Sequence, residues 1–157
     1  MMTALRSFPF LLLAPGTVAG YIPLVLLQRG PQFDPGLLAL FSSPFWLVGG
    51  LVLLWSFWNF LNEGHGTPAP IDPPRQLVLK GFYQYVRNPM YLSVIFILIG
   101  HFLWSGYWSI LAYAGLAFLV THLFVIFYEE PALKRKFGAT YEDYLRRVPR
   151  WIPKLTK

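Results

Sequence analysis

The stretch "MYLSVIFILIGHFLWSGYWSILAYAGLAFLVTHLFVIFY", Met90 to Tyr128, contains no Asp, Glu, Lys or Arg. As one straight helix rising about 1.5 Å per residue it would be roughly twice as long as the hydrocarbon core of a bilayer is thick, so it must fold back on itself. The turn falls at "WSGYW", Trp104 to Trp108, where Ser and Gly permit a tight reversal and the flanking aromatics suit a membrane interface. This reading predicts a short span over about 90–104 and a longer one over about 107–128. Towards the amino terminus, Phe8 to Leu27 and Leu37 to Leu61 are also free of charge and long enough to cross, giving spans over about 8–27 and 37–61. Arg6 and the small residues Gly16 to Gly20 imitate a signal peptide, but apolar character resumes through "YIPLVLL", so the first run is read as a retained span. The expected fold is all-α: one membrane domain over 1–157, four transmembrane helices, a tight hairpin between the last two, and a cytoplasmic amphipathic C-terminal helix.

Composition agrees. Hydrophobic residues make up 55% of the chain and charged residues 13%, about half the charge of a typical soluble domain. The chain has no cysteine, which excludes disulfides, thiolate nucleophiles and Cys-based metal sites. His101 and His122, without a carboxylate at ligand spacing, make a poor zinc set, so no metal is expected. The net charge of +6 has a topological meaning and not a nucleic-acid one. Arg75, Lys80 and Arg87 lie between the second and third spans, and Lys134, Arg135, Lys136, Arg146, Arg147, Arg150, Lys154 and Lys157 follow the fourth. By the positive-inside bias, that side is cytoplasmic and also holds the amino terminus.

Polar chemistry gathers at the same side. In "GFYQYVRNPMYLSV", Gly81 to Val94, Asn88 suits an N-cap and Pro89 the first helical position. The helix mouth then presents free amide donors and its positive dipole end beside Arg87, which is either an anion site or a lipid-headgroup anchor. In "YEEPALKRKF", Tyr128 to Phe137, Glu129 and Glu130 are expected at a helix C-terminus, where the dipole disfavours them. Arg87, Lys134 or hydration could offset that cost, or a ligand's ammonium or hydroxyl groups could. His122 lies seven residues before Glu129, on about the same face of a regular helix, and His101 is three turns below Met90. With Trp104 and Phe118 they form the expected walls of a substrate pocket. "NEGHGTPAPIDPPRQ", Asn62 to Gln76, is stiffened by four prolines and reads as a connector or a shaped lid. From Thr140, Tyr141, Tyr144, Leu145 and Val148 fall on one side of an amphipathic helix expected to lie on the membrane surface and close over the polar site, with Trp151 at headgroup level.

The strings "GTPAPIDPPRQLVLKGFYQYVRNPMY" and "EEPALKRKFGATYEDYLRRVPRWIP", separated by a hairpin, resemble the isoprenylcysteine carboxyl methyltransferase and phospholipid methyltransferase family over roughly Gly64 to Pro153. The resemblance implies an integral membrane enzyme that transfers a methyl group from S-adenosyl-L-methionine to a lipophilic small molecule or lipid entering from the bilayer. It places cofactor contacts on Gly64, Gly66, Gln76, Leu77, Val78, Tyr83, Asn88, Pro89, Tyr91 and Glu129 and matches the acidic pair Glu129 and Glu130; Arg87 at the helix mouth and Glu130 are the expected catalytic residues. Membrane lipids and the methyl acceptor are the implied partners, with no nucleic acid and no required protein. Two positions depart from the pattern: Asn88 stands where many relatives have His, and Val125 where the prenylcysteine enzymes have an acceptor-binding Arg. Phospholipid N-methylation is the alternative activity, and a non-catalytic scaffold or transporter fragment the alternative class.

Overall fold

The computed structural model describes residues 13–27, 29–64 and 76–154. Every regular element among them is helical: α1 (Leu13–Leu26), α2 (Gly36–Gly64), α3 (Pro89–Ser105), α4 (Trp108–Phe137) and α5 (Ala139–Arg147). Helices α2 and α4, of 29 and 30 residues, are long and apolar enough to cross a bilayer, whereas α1 and α3 are apolar but shorter. The first part of the expected span 8–27, and the lid segment 65–75 with Gly66, lie outside the described residues. Large apolar side chains point outwards along both long helices, among them Leu47, Leu51 and Trp58 on α2 and Leu116, Leu119 and Phe127 on α4. Contiguous exposed apolar surface of this kind suits lipid and not water.

The contact between α2 and α3 runs through small residues. A Cβ on Gly49 would stand 2.8 Å from Ile97 Cγ1 and 2.9 Å from the Ser93 carbonyl oxygen, so α2 and α3 meet almost backbone to backbone. Close approach through small residues is how helices associate where lipid removes the hydrophobic drive. The α3–α4 turn forms where the sequence predicts it. Gly106 takes the left-handed conformation at φ 71° and its N–H bonds to the Phe102 carbonyl at 2.8 Å. The loop after α1 locks this turn: Phe33 N–H donates to the Gly106 carbonyl and Gln32 Nε2 to the Ser105 carbonyl.

An added Cβ at Gly106 would collide with the Phe33 carbonyl, on top of the unfavourable φ, while one at Gly115, in the third turn of α4, meets nothing within 4 Å. Gly106→Ala is therefore expected to lower stability by about 2 kcal/mol or more, whereas Gly115→Ala is neutral or gains up to ~1 kcal/mol from helix propensity. Thermal unfolding of both variants in one detergent checks this. Equal midpoints would refute the turn geometry.

Two helices carry a π turn, and each ends two residues before a proline. In α1 the turn is Thr17–Tyr21, ahead of Pro23; in α4 it is Val125–Glu129, ahead of Pro131. The Ile22 N–H bonds to Thr17 O and the Glu130 N–H to Val125 O, each reaching back five residues instead of four. Proline has no N–H and its ring crowds the carbonyl four residues back, so widening the turn lets the helix run on without a break. The fourth apolar helix consequently does not stop near Tyr128 but continues to Phe137. This corrects the dipole reading: Glu129 and Glu130 lie inside a helix, and the last turn holds Lys134, Arg135 and Lys136, the charges a C-terminus favours.

The apolar side of α5 packs on the protein. Tyr141, Tyr144 and Val148 are buried among Leu77, Leu79, Leu133 and Phe137, and Tyr144 Oη donates to the Tyr83 carbonyl at 2.7 Å. The face expected to meet lipid is thus used internally. Beyond α5 the chain runs as a strap, 148–154, back to the mouth of α3, where Arg87 N–H bonds to Pro149 O at 2.9 Å and Lys154 N–H to Tyr85 O at 3.0 Å.

Candidate active site

The mouth of α3 and the π turn of α4 face one another across a cavity of about 320 Å³, at the small end of the range usual for ligand sites. Its polar end is lined by Tyr83, Arg87, Asn88, Tyr91, Glu129 and Glu130. Its apolar arm runs between α1, α2, α3 and α4, past Val18, Leu53, Val94, Ile95, Ala117 and Phe124. Val125, almost fully buried, also lines it. The cavity therefore grades from charged to greasy along its length, a shape that suits a polar group at one end and an apolar one at the other.

The two neighbouring glutamates do different things. Glu130 is the centre of an ion triad: Arg87 Nη1 donates to its Oε1 at 2.8 Å, Arg150 Nε to Oε1 at 2.7 Å, and Arg150 Nη2 to Oε2 at 2.9 Å. The side chains of Arg87 and Glu130 are mostly buried, at 12% and 14% exposure. The hydrogen bonds to Glu130 raise the Arg150 pKa further, keeping the guanidinium charged. Glu129 instead accepts one hydrogen bond from Tyr91 Oη at 3.0 Å and faces the cavity. Of the Arg87 guanidinium, Nε is buried and has no partner among the described residues. Arg87 and Glu129 thus both line one cavity, and the Glu129 carboxylate holds a single tyrosine hydroxyl there. Burial pushes the phenols of Tyr83, Tyr141 and Tyr144 well above their usual range, so all three remain neutral at any physiological pH.

Asn88 stands at the N-cap position with Pro89 first in the helix, but its side chain does not cap. Its Nδ2 donates to the Arg150 carbonyl at 3.1 Å and so holds the strap. Lys134, considered for Glu130, pairs with Glu142 at 3.1 Å in solvent. Leu77, Val78 and Pro89 line the cavity; Gln76 and Gly64 lie outside it, joined by a bond from Gln76 N–H to Gly64 O at 3.3 Å.

The four expected pocket walls do not gather there. His101 is held between two partners, Trp46 Nε1 donating to its Nδ1 at 2.9 Å and Ala19 O lying 2.8 Å from its Nε2, in a separate open groove. Trp104 packs on Trp46 and is half exposed. His122 accepts from Trp151 Nε1 at 2.8 Å, and Phe118 packs on both rings. The seven-residue spacing that aligns His122 with Glu129 assumes a uniform α-helix, and the π turn between them breaks that register. The residue that sequence reasoning missed is Arg150. Its one signal is the "VPRWIP" run, where flanking prolines force an extended chain directly after a helix.

Comparison with known proteins gives this geometry a family. The model of the phospholipid methyltransferase family matches residues 38–140, a stretch that includes α3, most of α2 and the whole of the π turn but ends before the strap. An uncharacterized protein of Haemophilus influenzae is 42% identical over 65 residues, 40% of this chain and all of that one. A methanethiol S-methyltransferase of Crocosphaera subtropica is 35% identical over 102 residues, 62% of this chain, which spans only 35% of that enzyme's length. With a family model covering well over half of its residues, and Arg87, Tyr91, Glu129 and Glu130 all inside the match, the chain belongs to the phospholipid methyltransferase family.

Proposed function

We propose that the chain is an integral membrane, S-adenosylmethionine-dependent methyltransferase acting on a lipophilic small-molecule or lipid acceptor. The observation that carries this reading is a guanidinium and a carboxylate at the polar end of one cavity, Arg87 and Glu129, the carboxylate held by a single tyrosine hydroxyl. The cofactor's amino-acid end offers a carboxylate to the first and an ammonium to the second. When bound, S-adenosylmethionine supplies an electrophilic methyl on a sulfonium. The residues fit such a group: the cation side has its carboxylate, the anion side a guanidinium, and Tyr91 and Tyr128 line the same cavity.

What the protein contributes to the transfer is alignment and exclusion of water, which together are worth several kcal/mol. The apolar arm holds the acceptor in line with the polar end. An acceptor that is already a thiolate or carboxylate needs no base there, whereas an amine must lose a proton. A small thiol is the second reading of the acceptor. It is favoured by the similarity to a methanethiol S-methyltransferase and by the modest cavity volume.

Four spans with both termini and the cofactor end cytoplasmic remain the topology this reading adopts, supported by the two long apolar helices and by the basic residues at one side. Membrane lipids are its only other expected partners. Calorimetry in detergent should show micromolar or tighter binding of S-adenosylhomocysteine, and ligand at 100 times its Kd should stabilise the fold by about 2.7 kcal/mol. Absence of binding in two different detergents would overturn the assignment.

A further inference from the structure

Where the apolar arm of the cavity stops, an open groove of about 450 Å³ begins. Helix α3 gives the order of the two spaces: Tyr91, Val94 and Ile95 line the cavity, while Ile97 and His101, further along the same helix, line the groove. Helix α2 agrees. Phe60 lines the cavity, Trp46 lines the groove, and Leu53, midway between them in sequence, lines both. Seven residues is close to two helical turns, so these three side chains form one stripe, with about 10 Å from each to the next. The cavity and the groove therefore lie end to end along the helices, and among the described residues Leu53 and Pro15 border both. The far side of the groove is braced, because Trp46 Nε1 donates to His101 Nδ1 and His101 Nε2 reaches the Ala19 carbonyl, tying α1, α2 and α3 together. Its α1 side is open: an added Cβ at Gly16 or Gly20 meets nothing within 4 Å.

We infer that Leu53 is the residue that sets the length of the methyl acceptor: its side chain stops the apolar arm, and the space for a longer chain lies directly behind it. The inference rests on the proposed function and on the thiol reading of the acceptor. A straight-chain thiol with its sulfur at the polar end gains about fourfold in binding for each methylene that the arm takes from water. Once the chain reaches Leu53, the next methylene must displace a branched side chain, and overpacking reverses the gain. Cutting Leu53 back to alanine removes three carbons from the partition and joins the arm to the groove.

Methylation of straight-chain alkanethiols from ethanethiol to decanethiol, read as S-methyl thioether formed and expressed as kcat/KM for each length, tests this. In the parent the value should climb with length, pass a maximum and fall. In Leu53→Ala the maximum should move by about three carbons or more, and the ratio of the longest thiol to ethanethiol should rise at least about tenfold. Gly20→Leu alone fills space outside the arm and should keep the parental profile, whereas in the Leu53→Ala background it should take back most of the gain for long chains. A merely structural role for Leu53 lowers all lengths alike and is not reversed from the groove. If Leu53→Ala does not fold, Leu53→Val carries the test, with the maximum moved by about one carbon in the same direction. A parental profile without a maximum, a maximum that the Leu53 variants leave in place, or a gain that Gly20→Leu does not reverse overturns the inference. A parent that binds no S-adenosylhomocysteine overturns the proposed function itself, whereas one that binds it and methylates no thiol of any length overturns only the role of Leu53 and the thiol reading.

Discussion

Glu129→Gln and Glu130→Gln, changes at adjacent residues, should fail in opposite ways. Glu129→Gln is expected to weaken S-adenosylhomocysteine binding by about 1.5–3 kcal/mol, roughly ten- to a hundredfold, while its unfolding midpoint stays close to that of the parent. Its carboxylate holds only a tyrosine hydroxyl, and a glutamine carbonyl can accept that bond as well. Glu130→Gln removes the one anion shared by Arg87 and Arg150, leaving two guanidinium groups together with no neutralising partner. Breaking a buried pair in this way costs about 3–5 kcal/mol, so this variant should unfold at much lower temperature or fail to accumulate. Arg150 is 29% exposed, and solvent puts the loss at the lower end of that range. Binding isotherms and thermal scans of the two variants, run side by side, test both halves. A stable Glu130→Gln protein, or a Glu129→Gln protein with parental affinity, would contradict the division of labour between the two carboxylates.

The second large effect concerns the acceptor. Val125 is almost wholly buried and lines the cavity, at the position where a prenylcysteine enzyme would present an arginine. A carboxylate acceptor brought here meets no cation of its own, because Arg87 and Arg150 are engaged with Glu130. Burying an unpaired carboxylate costs several kcal/mol, so farnesylcysteine analogues should be methylated at least about a hundredfold less efficiently than neutral lipophilic thiols of similar size. Val125→Arg should shift the ratio of the two acceptors towards the carboxylate, even if the added bulk lowers both absolute rates. The ratio of kcat/KM values is the measurement. A parent protein that prefers the farnesylcysteine analogue would refute this reading of the pocket.

Local chemistry was legible in the sequence where a residue has few alternatives. A glycine flanked by interfacial aromatics between two charge-free runs could only be a reversal, and the turn at Gly106 is there. Asn88 and Pro89 likewise mark the start of α3, although the Asn88 side chain turned out to serve the strap and not the helix end. What misled was uniform helical arithmetic. Counting 3.6 residues per turn across Val125–Glu129 placed His122 beside Glu129, and ending the fourth helix with its charge-free run at Tyr128 placed both glutamates at a terminus. A proline that is bridged by a wider turn instead of ending the helix cannot be told from an ordinary one by sequence alone. Arg150 was hidden for a different reason: its partner is twenty residues away, across a helix and an extended strap, and no local pattern relates the two.

The wide turn in α4 also bears on how such a site can change over time. In a helix, one residue corresponds to about 100° of rotation, so gaining or losing a single position within Val125–Glu129 redirects every side chain beyond it. The hairpin at Gly106 and the pairing of α2 with α3 lie on the other side of that turn and would be undisturbed. A one-codon insertion or deletion can therefore re-aim two carboxylates relative to Arg87 and Tyr91 without altering the identity of any residue in the site. For aligning this chain with distant relatives, a single-residue gap just before the Glu-Glu-Pro run is a change of geometry, and residues paired across it by sequence do not occupy the same place in space.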